Sequence, residues 1–411
     1  MARRVYLHIG TMKSGTTYLQ SWLDANTERL AEQGMLWSTA DNNFRATDDL
    51  FGWQQRRDDS DGAWPAMKAR IESHPGDVLI SNELLAAIFP KNIALLVAEL
   101  QPAEVHVMIT ARDLARVVPS QWQTAMRNRG TVAWSQYVDD ICANEPRKGE
   151  YRRAFWNRQD VPRIVQTWSK ALPLDRFTVV TVPPPGTPAT ALGERFCSVL
   201  MIDPTAFADP SITNASLGAH SSELLRRLNS EIAHFDGPQH QWAVKNALAR
   251  RVLEGRADRE PSIGLTQSQH DAVRRAASAM VDRLRGLPIK VVGDLGDLVP
   301  RVEAYGSSTD PGHSSDSELL AVALYGLAGM GEILADQRIG ADQLARSVSR
   351  LVAREERRLG VRSGEPADPG RGGDDVARHK AGLVKRLEAV LGDEAPSRSR
   401  KGRRHGPAAV S

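Results

Sequence analysis

The order of apolar and polar positions changes character once within the first thirty residues. Val5-Tyr6-Leu7-His8-Ile9 is a run of β-branched, aromatic and apolar types with no Pro or Gly before Gly10, which predicts a strand. Leu19, Trp22, Leu23 and Leu30 then recur near helical spacing after a Thr-rich start, which predicts a helix ended by Gly34. Four later short runs, 77–81, 105–110, 177–182 and 289–292, read as buried strands. Helical patterns separate them, notably 92–100, several Trp- and Arg-rich runs within 121–175, and 267–287. The polar stretch 35–75, with Trp37, Trp53 and Trp64 among many charges, predicts loops and short helices. Strands alternating with helices predict an α/β fold: a three-layer domain with a central parallel sheet of about five strands.

Past residue 300 the pattern changes again. Small polar residues around 306–315 cannot bury a core and predict a linker over 301–317. Amphipathic runs at 318–337 and 341–359, and a further helix near 375–391, predict a mostly helical C-terminal extension over 318–392. The end of the chain, 393–411, is basic and predicts a disordered tail.

Composition narrows the class. The chain has 411 residues, 41% hydrophobic and 25% charged, as in a soluble globular protein. Its 53 basic and 50 acidic side chains leave a net charge of +3, so no global basic field calls for nucleic acid. Cys142 and Cys197 form neither a disulfide framework nor a zinc spacing, which fits a reducing cytoplasm. The arginines at the start lead directly into a strand, leaving no room for a secretory signal. The longest charge-free apolar stretch, 319–331, is shorter than the ~18–20 residues of a membrane span, so none is expected.

The candidate chemistry lies where the first strand meets the first helix. Gly10-Thr11-Met12-Lys13-Ser14-Gly15-Thr16-Thr17 places two glycines, a lysine and several hydroxyls at a strand-to-helix turn. Such a turn aims backbone N–H groups and the positive end of a helix at an anion. A nucleotide triphosphatase loop needs its lysine directly after the second glycine, where Thr16 stands here; the only lysine is Lys13, inside the loop. A second element follows the third predicted strand, where Arg112 ends the strand and Ser120 stands eight residues on: a guanidinium and a hydroxyl suited to a phosphate. Glu83 sits just past the second strand, at the edge where open parallel sheets bind ligands. It reads equally as a helix-start carboxylate that favours the dipole. His8 and His106 lie within predicted strands and read as core histidines before bases. Asn214 and Ser216 begin a helical pattern and read first as caps.

The stretch HIGTMKSGTT resembles the 5′-phosphosulfate loop of sulfotransferases that use 3′-phosphoadenosine-5′-phosphosulfate (PAPS), and ARDLARVVPSQWQ resembles their 3′-phosphate element. The run from Phe155 to Gly186 resembles actinobacterial members of that superfamily. The resemblance covers about residues 1–300 and implies that the three-layer domain is P-loop-like. It implies PAPS as co-substrate held by Lys13, Ser14, Gly15, Thr16, Thr17, Arg112 and Ser120, with Asn214 and Ser216 in a closing loop. It implies Lys13 as the group that neutralises the leaving phosphate, Glu83 as the base, and no metal. The acceptor implied is a hydroxyl or amine of a carbohydrate, lipid or secondary metabolite. Two alternatives stay open: a P-loop kinase or ATPase, and a non-catalytic scaffold with a degenerate loop.

Overall fold

The computed structural model describes residues 2–53, 60–143, 149–188, 190–209, 216–301 and 309–359, with side chains described as far as Arg338. Six strands form one sheet in the order β2-β3-β1-β4-β5-β6, every neighbouring pair parallel. They are β1 Arg4–His8, β2 Met35–Trp37, β3 Asp77–Ser81, β4 Glu104–Ala111, β5 Phe177–Thr181 and β6 Lys290–Val292. Five correspond to the apolar runs in the sequence. The sixth, β2, falls inside the stretch expected to hold loops and short helices. It is a three-residue edge strand, too short to show a period, and only its pairing with β3 defines it.

Side chains alternate across the sheet and divide the core in two. Tyr6, Leu79, Met108 and Val180 face one layer, with Leu19, Trp22 and Leu23 of helix α1 (Thr16–Ala25) and with Phe196. Val5, Leu7, Ile80, Val107 and Val179 face the other, with Val117 and Trp122 of the helix Leu114–Arg127 and with Trp168. Sheet and two flanking layers therefore make the three-layer α/β domain that the pattern predicts. The first helical run is broken at Asn26 into α1 and Thr27–Glu32, because the Asn26 side chain turns back to the Trp22 carbonyl (2.7 Å).

This arrangement creates the crevice. β1 lies between β3 and β4, so the chain crosses the sheet on its way from β3 to β4. Leaving β1, the backbone turns into α1 on one face; leaving β4, it turns into Leu114–Arg127 on the other. Divergent exits at neighbouring carboxyl ends open the crevice where α/β sheets bind ligands.

Contacts divide the chain into two units, Met1–Ala335 and Asp336–Ser411. The first extends beyond the domain end drawn near residue 300. Residues 302–308 of the expected linker lie outside the described residues, but the remainder is not a free spacer. Thr309 bridges to Ile263, and Ser314 Oγ is hydrogen-bonded to His220 Nδ1 (2.8 Å). Leu319 and Val322 are buried, and a Cβ at Gly329 would meet Val252 at 2.5 Å. Small residues on one helical face thus allow this segment to lie close against the body.

One helix, Asp316–Leu359, replaces the two expected runs 318–337 and 341–359. The lone Gly340 between them is a residue a helix tolerates at about 1 kcal/mol. Its first part, Asp316–Arg338, has the length and apolar composition to cross a membrane, a test by length and composition only. The charge-free count of thirteen missed this because it stopped at the first acidic residue. The helix near 375–391 and the tail 393–411 lie outside the described residues.

Candidate functional site

The Gly-rich loop runs from Ile9 to Gly15 and delivers the chain into α1 at Thr16. Gly10 has φ +105° and Gly15 φ +85°, both in the left-handed region that only glycine enters without strain. Gly10 must also stay small, since an added Cβ would lie 3.1 Å from the Glu83 Cβ and 3.2 Å from its carbonyl oxygen. Lys13, with φ +65°, takes the same region despite its side chain, which is local strain held by the surrounding loop. Helix α1 opens at Thr16, so the N–H groups of its first turn have no partner within the helix.

Beneath the loop lies a closed polar network. His8, fully buried, is hydrogen-bonded through Nδ1 to Ser81 Oγ (2.8 Å) and through Nε2 to Thr110 Oγ1 (3.0 Å). Ser14 Oγ donates to the Thr11 carbonyl and shares a hydrogen bond with Thr110 Oγ1 (2.7 Å). Thr16 Oγ1 donates to the same Thr11 carbonyl (3.4 Å). The Ser14 and Thr16 hydroxyls therefore brace the loop from below. With Gly15 and the exposed Thr17, their share in any ligand contact falls to the backbone and, for Thr17, its hydroxyl. Burial drives the His8 imidazole down to about 3, so it is neutral at ordinary pH and sealed from the crevice. His106 stands near the start of β4, beside Glu104 at 2.8 Å, at the opposite end of that strand from the loop.

Above the loop is a cavity of about 650 Å³, within the range of small-molecule sites. Lys13, Gly15, Thr16 and Thr17 line it, together with Glu83, Arg112, Ser120 and Ser216. The structure thus brings together every proposed site residue except Ser14, which lies beneath the loop, and Asn214, which lies outside the described residues. A second cavity of about 270 Å³ shares Arg112, Arg116, Ser120, Gln123 and Ser216 and continues between Pro119, Ile263 and Leu265.

The charged groups differ from their ordinary behaviour in one consistent way. Burial lowers Lys13 to about 8; the nearby Arg127 charge adds to this and Glu83 opposes it. Burial lowers Arg112 to about 10, with Arg116 reinforcing it. Its Nε is sealed from solvent with no hydrogen-bond partner among the described residues, and its Nη1 reaches the Lys13 carbonyl at 3.4 Å. Glu83 is pushed up, above all by burial, and its Oε2 is likewise without a hydrogen-bond partner among the described residues. Asn82 fixes Glu83 by donating to Thr47 Oγ1 (2.7 Å) and accepting from the Leu84 N–H at the start of a 3₁₀ turn, Glu83–Ala87. Cations short of partners around a polar cavity form a site that gains energy from an anion.

Five further polar lining residues escaped the sequence reading: Arg116, Gln123, Arg127, Arg250 and Glu254. Arg116, Gln123 and Arg127 stand on the helix of Ser120 at spacings of three and four, a polar stripe visible once that helix is assigned. Arg250 and Glu254 come from distant elements and carry no local signal. Among the described residues no group of three His, Cys, Asp or Glu converges as a metal site. Comparisons with protein-family models, with curated proteins and with solved structures find no match.

Proposed function

We propose that the protein is a PAPS-dependent sulfotransferase acting on a hydroxyl or amine acceptor. One observation carries this reading: Lys13 in the loop, Arg112 with Ser120, and Glu83 all border one crevice at the carboxyl ends of β1, β3 and β4. A donor with two phosphates and a sulfuryl group calls for two anion subsites, and the lysine-bearing loop and the Arg112/Ser120 pair supply them. The smaller cavity beyond Ser120, walled by Pro119, Ile263 and Leu265, offers room for a nucleoside.

Within this reading the chain's own residues divide the work. Glu83, its proton affinity raised by burial, takes the proton from the acceptor in its deprotonated form as the acceptor's oxygen or nitrogen bonds to sulfur. The bond between sulfur and the bridging phosphate oxygen breaks, and that oxygen keeps the electron pair. Lys13 and the first-turn N–H groups of α1 stabilise the resulting charge. A kinase or ATPase reading is less favoured, because Thr16 occupies the position its lysine needs and turns its hydroxyl back to Thr11.

Calorimetry with 3′-phosphoadenosine 5′-phosphate tests the reading: the expected result is tight binding that depends on the 3′-phosphate. Lys13→Ala should abolish sulfuryl transfer from labelled PAPS while the protein keeps its melting temperature. Absence of binding, or full transfer by the variant, would overturn the assignment.

A further inference from the structure

The loop and the Arg112/Ser120 pair account for the donor's anionic groups, yet the crevice holds more positive charge than they supply. Beyond Lys13 the wall carries Arg127 and Arg250 from two elements, and Lys245 lies within electrostatic reach of Lys13. Arg127 closes the helix Leu114–Arg127 and pairs with Glu254 at 3.0 Å, while its Nε is buried without a hydrogen-bond partner among the described residues. Lys245 and Arg250 come from Gln241–Val252, which is a π-helix along its whole length. Neither has an ion-pair partner among the described residues. Arg127, Lys245 and Arg250 all lie close enough to the Lys13 ammonium group to disfavour its charged form.

The π-helix explains how Lys245 and Arg250 come to act together. In an α-helix, five residues at 3.6 per turn rotate through about 500°, which leaves the two side chains roughly 140° apart. In a π-helix the bonds run from i to i+5, so residues five apart return to nearly the same face. Such widened turns are rare and recur at functional sites. Here the wide turn is backed by the helix that begins at Asp316, whose Gly326 and Gly329 lie against Leu248 and Val252. Arg250 on this helix lines the crevice with Lys13 and Glu83, and Lys245 lies near enough to bear on the Lys13 charge.

We propose that Arg127, Lys245 and Arg250 form an acceptor subsite for an oxyanion, so that the molecule receiving the sulfuryl group already carries a carboxylate, phosphate or sulfate. This rests on the sulfotransferase reading and deepens it. Two arginine forks and an ammonium suit a planar or tetrahedral oxyanion and give a neutral sugar or phenol little to bind. Glu254, tied to Arg127, holds that guanidinium in place when the subsite is empty. The subsite borders Glu83, so an acceptor anchored there presents its hydroxyl or amine to the base.

The test uses the full chain saturated with 3′-phosphoadenosine 5′-phosphate and inorganic phosphate as the anion probe, followed by calorimetry. A second phosphate site is expected, with affinity reduced tenfold or more in the Lys245→Gln/Arg250→Gln double variant, the loss of one or two charge-assisted contacts. Nucleotide affinity should change less than about threefold, since the donor is held elsewhere. No second site, equal phosphate affinity in the variant, or a loss confined to nucleotide binding would each overturn the proposal. Failure of the nucleotide to bind the unaltered chain would sink the sulfotransferase reading instead, and the subsite's role with it. In transfer assays the charged member of matched acceptors, such as 4-hydroxybenzoate against its methyl ester, should be favoured by the native protein and lose that advantage in the variant. Preference for the neutral member would count against the subsite.

Discussion

Lys13 and Glu83 illustrate how burial tunes a pair of residues at one crevice. Lys13, lowered to about 8 by burial, binds an anion only while protonated. Affinity for 3′-phosphoadenosine 5′-phosphate should therefore be full below about pH 8 and weaken as pH rises through it, and Lys13→Ala should remove that dependence. An unchanged affinity from pH 7 to pH 9.5 would count against the lysine as a ligand. Glu83 shifts in the opposite sense. Its carboxyl, raised by burial, is a base only when deprotonated, so turnover should fall with acid above the usual carboxylate range. Glu83→Gln should lower turnover about a hundredfold or more and erase that acid limb. A limb that survives the substitution would assign the proton transfer to another group.

At the scale of elements, the loop and the 3₁₀ turn act as one piece. Gly10 touches the Glu83 backbone, Asn82 N–H donates to the His8 carbonyl (3.0 Å), and Asn82 anchors the turn to Thr47. Gly10→Ala would force a Cβ into the left-handed region, at about 1–2 kcal/mol, and against Glu83 as well. Both effects should be visible: a lower melting temperature, and a loss of turnover larger than the loss of nucleotide affinity. If the variant loses stability alone, with turnover intact, the contact does not position Glu83. The network of His8, Ser81, Thr110 and Ser14 plays a related part from below, holding the loop by hydrogen bonds that leave its upper surface free.

For the molecule as a whole, the segment expected to be a spacer and the start of an extension belongs to the body. Val322 is fully buried in the main core, although it lies past the boundary drawn from the pattern. Val322→Asp in the full chain would bury a charge with no designed partner, and should lower the melting temperature by about 5 °C or more. An unchanged melting temperature would show that the helix from Asp316 onward is not part of the cooperative unit. The same docking backs the π-helix, so loosening it should also weaken the Lys245/Arg250 face.

Local chemistry made much of this legible without coordinates. Five strands announced themselves because a buried strand is a short apolar run, and Lys13, Arg112, Ser120 and Glu83 because each follows such a run at an edge where ligands bind. The sequence by itself thus determined the α/β class, the loop and its displaced lysine. The tertiary structure alone decided what depends on distant partners. It showed β2 as a strand, since three residues have no readable period. It turned the Ser14 and Thr16 hydroxyls inward, because Thr11 and Thr110 compete for them. It brought Arg127, Lys245 and Arg250 to Lys13 across more than a hundred residues, and through a widening of the helix that no pattern of residue types encodes.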